Sequence, residues 1–163
     1  MIIRTAAHAD AADMTALLNK IITLGGSTAH QTPFGVAQMQ SHYIAPSALI
    51  SCQVAEDAGA VIGFQWLGWA VDPDDPMPAD WGIIASFVSP DAAGKGVGQH
   101  LFRATKAAAL EAGTKVIDAT IRADNVAGLR YYSGLGFQDY DRLRNIPLRD
   151  GTPVDRIRKR FDL

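Results

Sequence analysis

The sequence predicts a mixed α/β (α+β) fold in one domain spanning residues 1–163, and three observations carry that prediction. Strand-like and helix-like segments alternate along the whole length with short connections. An apolar run, Ile83-Ile84-Ala85-Ser86-Phe87-Val88, stops at Ser89-Pro90 and is followed by Gly94, Gly96 and Gly98 and then a helix-forming stretch. At 163 residues and 48% hydrophobic content, the chain can bury one substantial core.

The elements follow in order. Ile2 to Thr5 reads as a short strand. Asp10 can cap the next helix, with Asp13 in its first turn. Met14, Leu17, Leu18, Ile21 and Ile22 then fall at i, i+3, i+4, i+7 and i+8, one apolar helix face that ends before Gly25-Gly26. A shorter helix is expected from Gly35 to Tyr43. Leu49 to Glu56 and Ala60 to Val71 read as a hairpin turning at Asp57-Ala58-Gly59. The acidic, proline-rich stretch Asp72 to Pro78 is too short for a domain linker. Trp81 to Val88 is a strand, Gly98 to Ala112 an alanine-rich helix, Val116 to Arg122 a strand and Val126 to Ser133 a helix. Gly136 to Asn145 and Thr152 to Asp162 close the sheet around a turn at Arg149-Asp150-Gly151.

Charge and composition exclude several classes. A net charge of −2 gives no broad basic footprint for nucleic acid. The cluster Arg156, Arg158, Lys159, Arg160 is interleaved with Ile157 and Phe161 and reads as the solvent face of a last strand. No apolar run reaches membrane-spanning length and no secretory signal pattern is present, so no membrane partner is expected. The lone Cys52 fits a reducing compartment, hence a cytoplasmic protein, and reads as a buried small side chain.

The glycine loop points to the ligand. Glycines let backbone approach a ligand closely, and a helix start offers free N–H groups and partial positive charge, which together suit a pyrophosphate. A phosphate-binding loop of the Gly-Lys-Ser/Thr type fails, because Gly94-Lys95 is followed by Gly96. A dinucleotide fingerprint fits poorly, because Gln99 stands where a third glycine is required. Ala93-Gly94-Lys95-Gly96-Val97-Gly98 instead resembles the coenzyme A loop of the GNAT superfamily of acyl-CoA-dependent N-acyltransferases, Gln/Arg-x-x-Gly-x-Gly/Ala, with Ala93 departing from it. Asn125-Val126-Ala127-Gly128-Leu129-Arg130-Tyr131-Tyr132-Ser133-Gly134-Leu135-Gly136-Phe137 resembles that family's Asn-x-x-Ala-x-x-x-Tyr-x-x-x-Gly-Phe, with Gly128 for Ala. The resemblance is specific from Trp81 to Phe137, and within the family it is loosely nearest the phosphinothricin acetyltransferase branch, through Asn19, Thr28, Pro33 and Arg4-Thr5-Ala6.

That resemblance implies a mostly antiparallel sheet of six to seven strands, with one splayed parallel pair and about four flanking helices. It implies acetyl-CoA as cofactor. Phe87 and Val88 would pair with the pantetheine, Ala93, Gly94, Lys95, Gly96, Val97, Gly98 and Gln99 would hold the pyrophosphate, and Asn125 would cap the helix and contact the cofactor. Tyr132 would protonate the leaving thiolate, being protonated at neutral pH with an ordinary phenol pKa of about 10. Tyr131 is expected in the core. The base is open. Asp80 and Asp118 are carboxylate candidates, His30 and His42 flank the acceptor segment, and water alone can serve. The first-choice acceptor is a small-molecule primary amine, an amino acid or analogue. A protein or peptide acceptor, a non-catalytic acyl-CoA sensor or partner domain, and a nucleotide-binding module are the alternatives. A homodimer is common among the proteins this chain resembles.

Overall fold

The computed structural model describes residues 1–163. Its centre is a seven-stranded sheet ordered β1-β2-β3-β4-β5-β7-β6. The strands are β1 Ile2–Thr5, β2 Leu49–Asp57, β3 Ala60–Trp69, β4 Trp81–Val88, β5 Val116–Arg122, β6 Gln138–Pro147 and β7 Pro153–Asp162. Four helices pack on it: α1 Ala11–Leu24, α2 Val36–Met39, α3 Val97–Glu111 and α4 Val126–Gly134. All strand pairs are antiparallel except β4–β5.

Two apolar layers clamp the sheet. On one face, Met14 and Leu18 of α1 and Met39 of α2 meet Val54, Phe64 and Phe87. On the other, Phe102 of α3, Tyr132 of α4 and Phe137 meet Leu67, Ile84 and Ile117. Most of these side chains are fully out of water. Each such burial contributes about 1.5–3 kcal/mol against leaving the side chain exposed.

The one parallel contact is short. Trp81, Gly82 and Ile83 pair with Val116, Ile117 and Asp118, and there the pairing ends. β4 stays paired with β3 as far as Val88, and β5 stays paired with β7 as far as Arg122. Each strand therefore follows its own antiparallel neighbour, and sheet twist carries the two apart. The backbone edge of Ile84–Val88 that faces β5 has no strand partner, so part of its N–H and C=O groups stays free.

The structure changes several local expectations. The second helix continues beyond α2 as one π-type turn over Gln40–Ile44, and β3 stops at Trp69 rather than Val71. Asp10 does not cap α1 with its side chain; its carboxylate accepts the Ala7 N–H at 2.7 Å and pairs with Arg4 at 2.7 Å. The basic cluster of β7 is not a solvent face. Arg158 and Lys159 are buried, Arg158 against Asp75 and Lys159 against Asp139 and the Ser133 hydroxyl. Loop and strand-edge carboxylates, which a pattern of alternation does not reveal, draw these cations inward. No helix is long and apolar enough to cross a membrane.

Candidate active site

A cleft of about 670 Å³ runs from the free edge of β4 to the start of α3. Phe87 and Val88 line its strand end; Ala93, Gly94, Gly96, Val97, Gly98 and Gln99 line its helix end. Gly94 (φ 78°) and Gly96 (φ 71°) adopt a left-handed backbone that L side chains resist. The amides of Gly94, Gly96, Val97 and Gly98 donate to no backbone carbonyl. Four free donors in the loop, the N-cap and the first turn of a fifteen-residue helix form an anion cradle. The volume lies within the range of ligand pockets, and the lining is apolar along the strand and polar at the cradle. These features suit a long ligand with an amide-bearing arm and a pyrophosphate. Lys95 is exposed and does not border the cleft.

Asn125 caps α4, accepting the Gly128 N–H at 2.9 Å, and its own amide donates to the Ser27 carbonyl at 2.9 Å. A Cβ on Gly128 would stand 2.5 Å from that amide, which accounts for glycine at this motif position. Asn19 holds both the N–H and the carbonyl of Phe34, at 2.7 and 2.9 Å. Arg122 Nη1 donates to the Thr28 carbonyl at 2.9 Å. The segment between α1 and α2 is thus tied to β5 at Thr28 and to α1 at Phe34, and it walls a second cavity.

That second cavity, of about 220 Å³, enters the gap between β4 and β5. Arg149 donates to the Thr32 hydroxyl at 2.6 Å and the Asp150 N–H to the Gln31 side chain at 2.9 Å, so the β6–β7 turn is fastened to the α1–α2 segment. His30 and Tyr43 line the cavity and share a hydrogen bond of 2.8 Å between Nε2 and the phenol oxygen. Burial, reinforced by His42, lowers the His30 pKa below its ordinary value and holds the ring neutral at pH 7.

The two cavities meet at one polar cluster. Gln65 Nε2 donates to Ser86 Oγ at 2.8 Å and to Tyr131 Oη at 3.1 Å. Ser86 Oγ lies 2.8 Å from Tyr132 Oη, and Tyr131 Oη donates to the Gly98 carbonyl at 2.8 Å. Ser86 and Tyr131 border both cavities; Tyr132 borders the second. Burial raises the pKa of Tyr132, and it pushes Tyr131 up to about 12, so both phenols keep their protons across the physiological range.

Tyr131 is therefore a wall of the site and not a core residue. The ring covers Gly98, where a Cβ would lie 2.6 Å from Tyr131 Cε2. Asp80 lies in the exposed turn before β4, at the paired end. Six residues of strand separate it from Ser86, roughly 20 Å at about 3.3 Å per residue. Asp118 is fully buried at the last paired position, accepting from Tyr140 at 2.5 Å and from Thr120 at 2.9 Å. Thr120 borders the second cavity. Burial raises the Asp118 pKa, opposed by these hydrogen bonds and by Arg158. Sequence reasoning passed over Ser86, Gln65, Thr120, Arg122 and Arg156. The first two carried a usable signal, since each is the polar interruption of an apolar strand and they are direct cross-strand partners.

A parting parallel pair leads to a free helix start on one side and to a second cavity on the other, an arrangement with room for two reactants. The model of the acetyltransferase (GNAT) family matches residues 16–137, and the chain belongs to that family. No curated protein sequence matches significantly. Among solved structures, a GNAT superfamily phosphinothricin acetyltransferase from Sinorhizobium meliloti, in complex with AcCoA, superposes with a TM-score of 0.84 at 22% identity, over 99% of this chain and 88% of that one. A ribosomal-protein-alanine N-acetyltransferase from Brucella melitensis gives 0.84 at 21% identity over 100% of both chains. An N-acetyltransferase from Staphylococcus aureus Mu50 gives 0.82 at 22% identity over 99% and 97%.

Proposed function

We propose that this chain transfers an acetyl group from acetyl-CoA to the primary amine of a small molecule, by direct attack with both reactants bound. The observation that carries the reading is the meeting of the two cavities at Ser86, Tyr131 and Tyr132. When bound, acetyl-CoA supplies the acetyl group as an activated thioester.

The protein's own groups divide the work. The free edge of Phe87–Val88 aligns the amide-bearing arm, and the amides of Gly94, Gly96, Val97 and Gly98 hold the phosphates. Ser86 Oγ accepts from Gln65 and turns its own hydrogen to Tyr132 Oη, which frees the phenol hydrogen for the gap. Tyr132 then carries the proton that the departing sulfur needs. The amine arrives in the second cavity, and its proton leaves by way of Thr120 to Asp118, a carboxylate made more basic by burial. Asp80 takes no part at its distance. The size of the second cavity favours a small acceptor over a peptide.

Free-thiol release from acetyl-CoA, measured against amino acids, polyamines and short peptides, tests the reading. Release with a small amine and none with peptides is the expected result. Tight acetyl-CoA binding without release for any amine would make the chain an acyl-CoA sensor instead.

A further inference from the structure

The charge pattern of the second cavity is one-sided. Two arginines, Arg122 and Arg156, border it, and no carboxylate does. They are direct cross-strand partners on β5 and β7. Arg158 follows two residues along β7, opposite Thr120. Like charges set opposite one another on a sheet repel.

Two of the three arginines are matched. Arg122 makes a two-pronged pair with Asp124, at 2.9 and 2.7 Å, and donates to the Thr28 carbonyl. Arg158 pairs with Asp75 through its Nη2, although its Nε is buried without an acceptor. Arg156 has neither a hydrogen-bond nor an ion-pair partner, and its Nε is buried with no acceptor. A half-buried guanidinium between two like charges, with a donor out of water and unpaired, is costly unless an anion completes it. Arg156 borders the second cavity and not the cleft that leads to α3, so the phosphates held there are not its partner.

We propose that Arg156, with Arg122 beside it, forms an anion-binding subsite, and that the acceptor is an amine that also bears a carboxylate or comparable acidic group. This rests on the acetyltransferase reading above and narrows its substrate class. A planar guanidinium suits a carboxylate in a two-pronged contact. The acidic group rests at Arg156 while the amine lies toward Ser86 and Tyr132. The same field repels polyamines and aminoglycosides, whose several cations find no acidic lining here.

The test compares amino acids with their primary amides, which keep the amine and the shape but lose the charge. Thiol release is followed in the wild type, Arg156→Gln and Arg156→Lys. The wild type should favour the acids by about 10- to 100-fold in kcat/KM. Arg156→Gln should remove that preference through the KM of the acid, leave rates on the amides and the KM for acetyl-CoA within about twofold, and melt at the same temperature or slightly higher; Arg156→Lys should restore part of the preference. Equal rates on acid and amide, a preference that survives Arg156→Gln, a rise in the acetyl-CoA KM alone, or a Tm lower by several degrees would each overturn the subsite. If no amine is acetylated, the transferase reading fails separately, and thermal-shift titration with sodium sulfate against sodium chloride at matched ionic strength decides the subsite. Sulfate protection reduced in Arg156→Gln, the amide cradle at α3 accounting for what remains, supports it, and equal protection in both proteins overturns it.

Discussion

The cofactor cleft and the acceptor cavity share Ser86 and Tyr131 yet are built from different materials. The cleft is backbone: a strand edge without a partner, two left-handed glycines and the free amides of one helical turn. The acceptor cavity is side chain: His30, Tyr43, Thr120, Arg122 and Arg156, brought from four separate stretches of chain. A backbone site depends on geometry that few substitutions at other positions disturb. A side-chain site changes specificity with single substitutions while the fold stays the same. One chain can thus keep its cofactor fixed and its acceptor adjustable.

The largest expected effect lies at the junction. Tyr132→Phe keeps the ring packed against Ile84 and Phe137 and removes only the hydroxyl at Ser86. Turnover should fall by about a hundredfold or more, while calorimetry finds acetyl-CoA affinity within about twofold. Equal loss of both, or no loss of turnover, would take Tyr132 out of the chemistry. Next comes Gly98→Val, which places carbon against the Tyr131 ring that Gly98 and Gln65 hold from two sides. Overpacking of this kind costs about 1–3 kcal/mol, so acetyl-CoA affinity should drop by about 10- to 100-fold. Unchanged affinity would break the division between the two cavities, because the cofactor would then lie elsewhere.

The same division explains what could be read in advance. Gly94, Gly96 and Gly98 at a strand-to-helix junction announce a backbone cradle, since glycine at such a place has few other uses. The order of elements and the Asn125 cap were legible for similarly local reasons, whereas the parallel pair came only through the family resemblance. Arg156 gave no local signal. In sequence it belongs to a run of cations, and only the tertiary structure shows that Arg158 and Lys159 are matched by Asp75 and Asp139 while Arg156 has no ion-pair partner. Tyr131 was misread because helical periodicity places it beside Tyr132 without saying that the cleft, not the core, lies under it. Asp80, just before β4, and Asp118, on β5, stood as equal candidates, and it is burial together with the Thr120 bond toward the second cavity that sets Asp118 apart.

Ser86→Ala sharpens the comparison at smaller scale, because it removes the one hydroxyl that joins both sides. Tyr132 loses the donor that orients it, while Gln65 keeps Tyr131. A single lost hydrogen bond is worth about 0.5–1.5 kcal/mol, so turnover should fall by about 2- to 13-fold, with the pH profile unchanged in shape. A fall as large as that of Tyr132→Phe would show that Ser86, and not the phenol, delivers the proton.

The smallest effect is expected in stability, at Asp118. Its folded pKa lies above the ordinary value because burial outweighs the hydrogen bonds from Tyr140 and Thr120. Below the unfolded pKa of about 3.9 both states are protonated. As pH rises through the raised folded value, the unfolded chain ionises more readily than the folded one, and stability is lost. Asparagine cannot ionise, still accepts from Tyr140 at Oδ1 and can donate to Thr120. The melting temperature of Asp118→Asn minus that of the wild type should therefore grow from its value near pH 4 as pH approaches neutral. A difference that shrinks over the same range would mean that the charged carboxylate is the favoured form, with Arg158 and the two hydroxyls prevailing over burial. The pH profile of kcat/KM separates the catalytic assignment from this balance: an acidic limb lost in Asp118→Asn assigns the amine's proton to Asp118, and a limb that persists returns deprotonation to water.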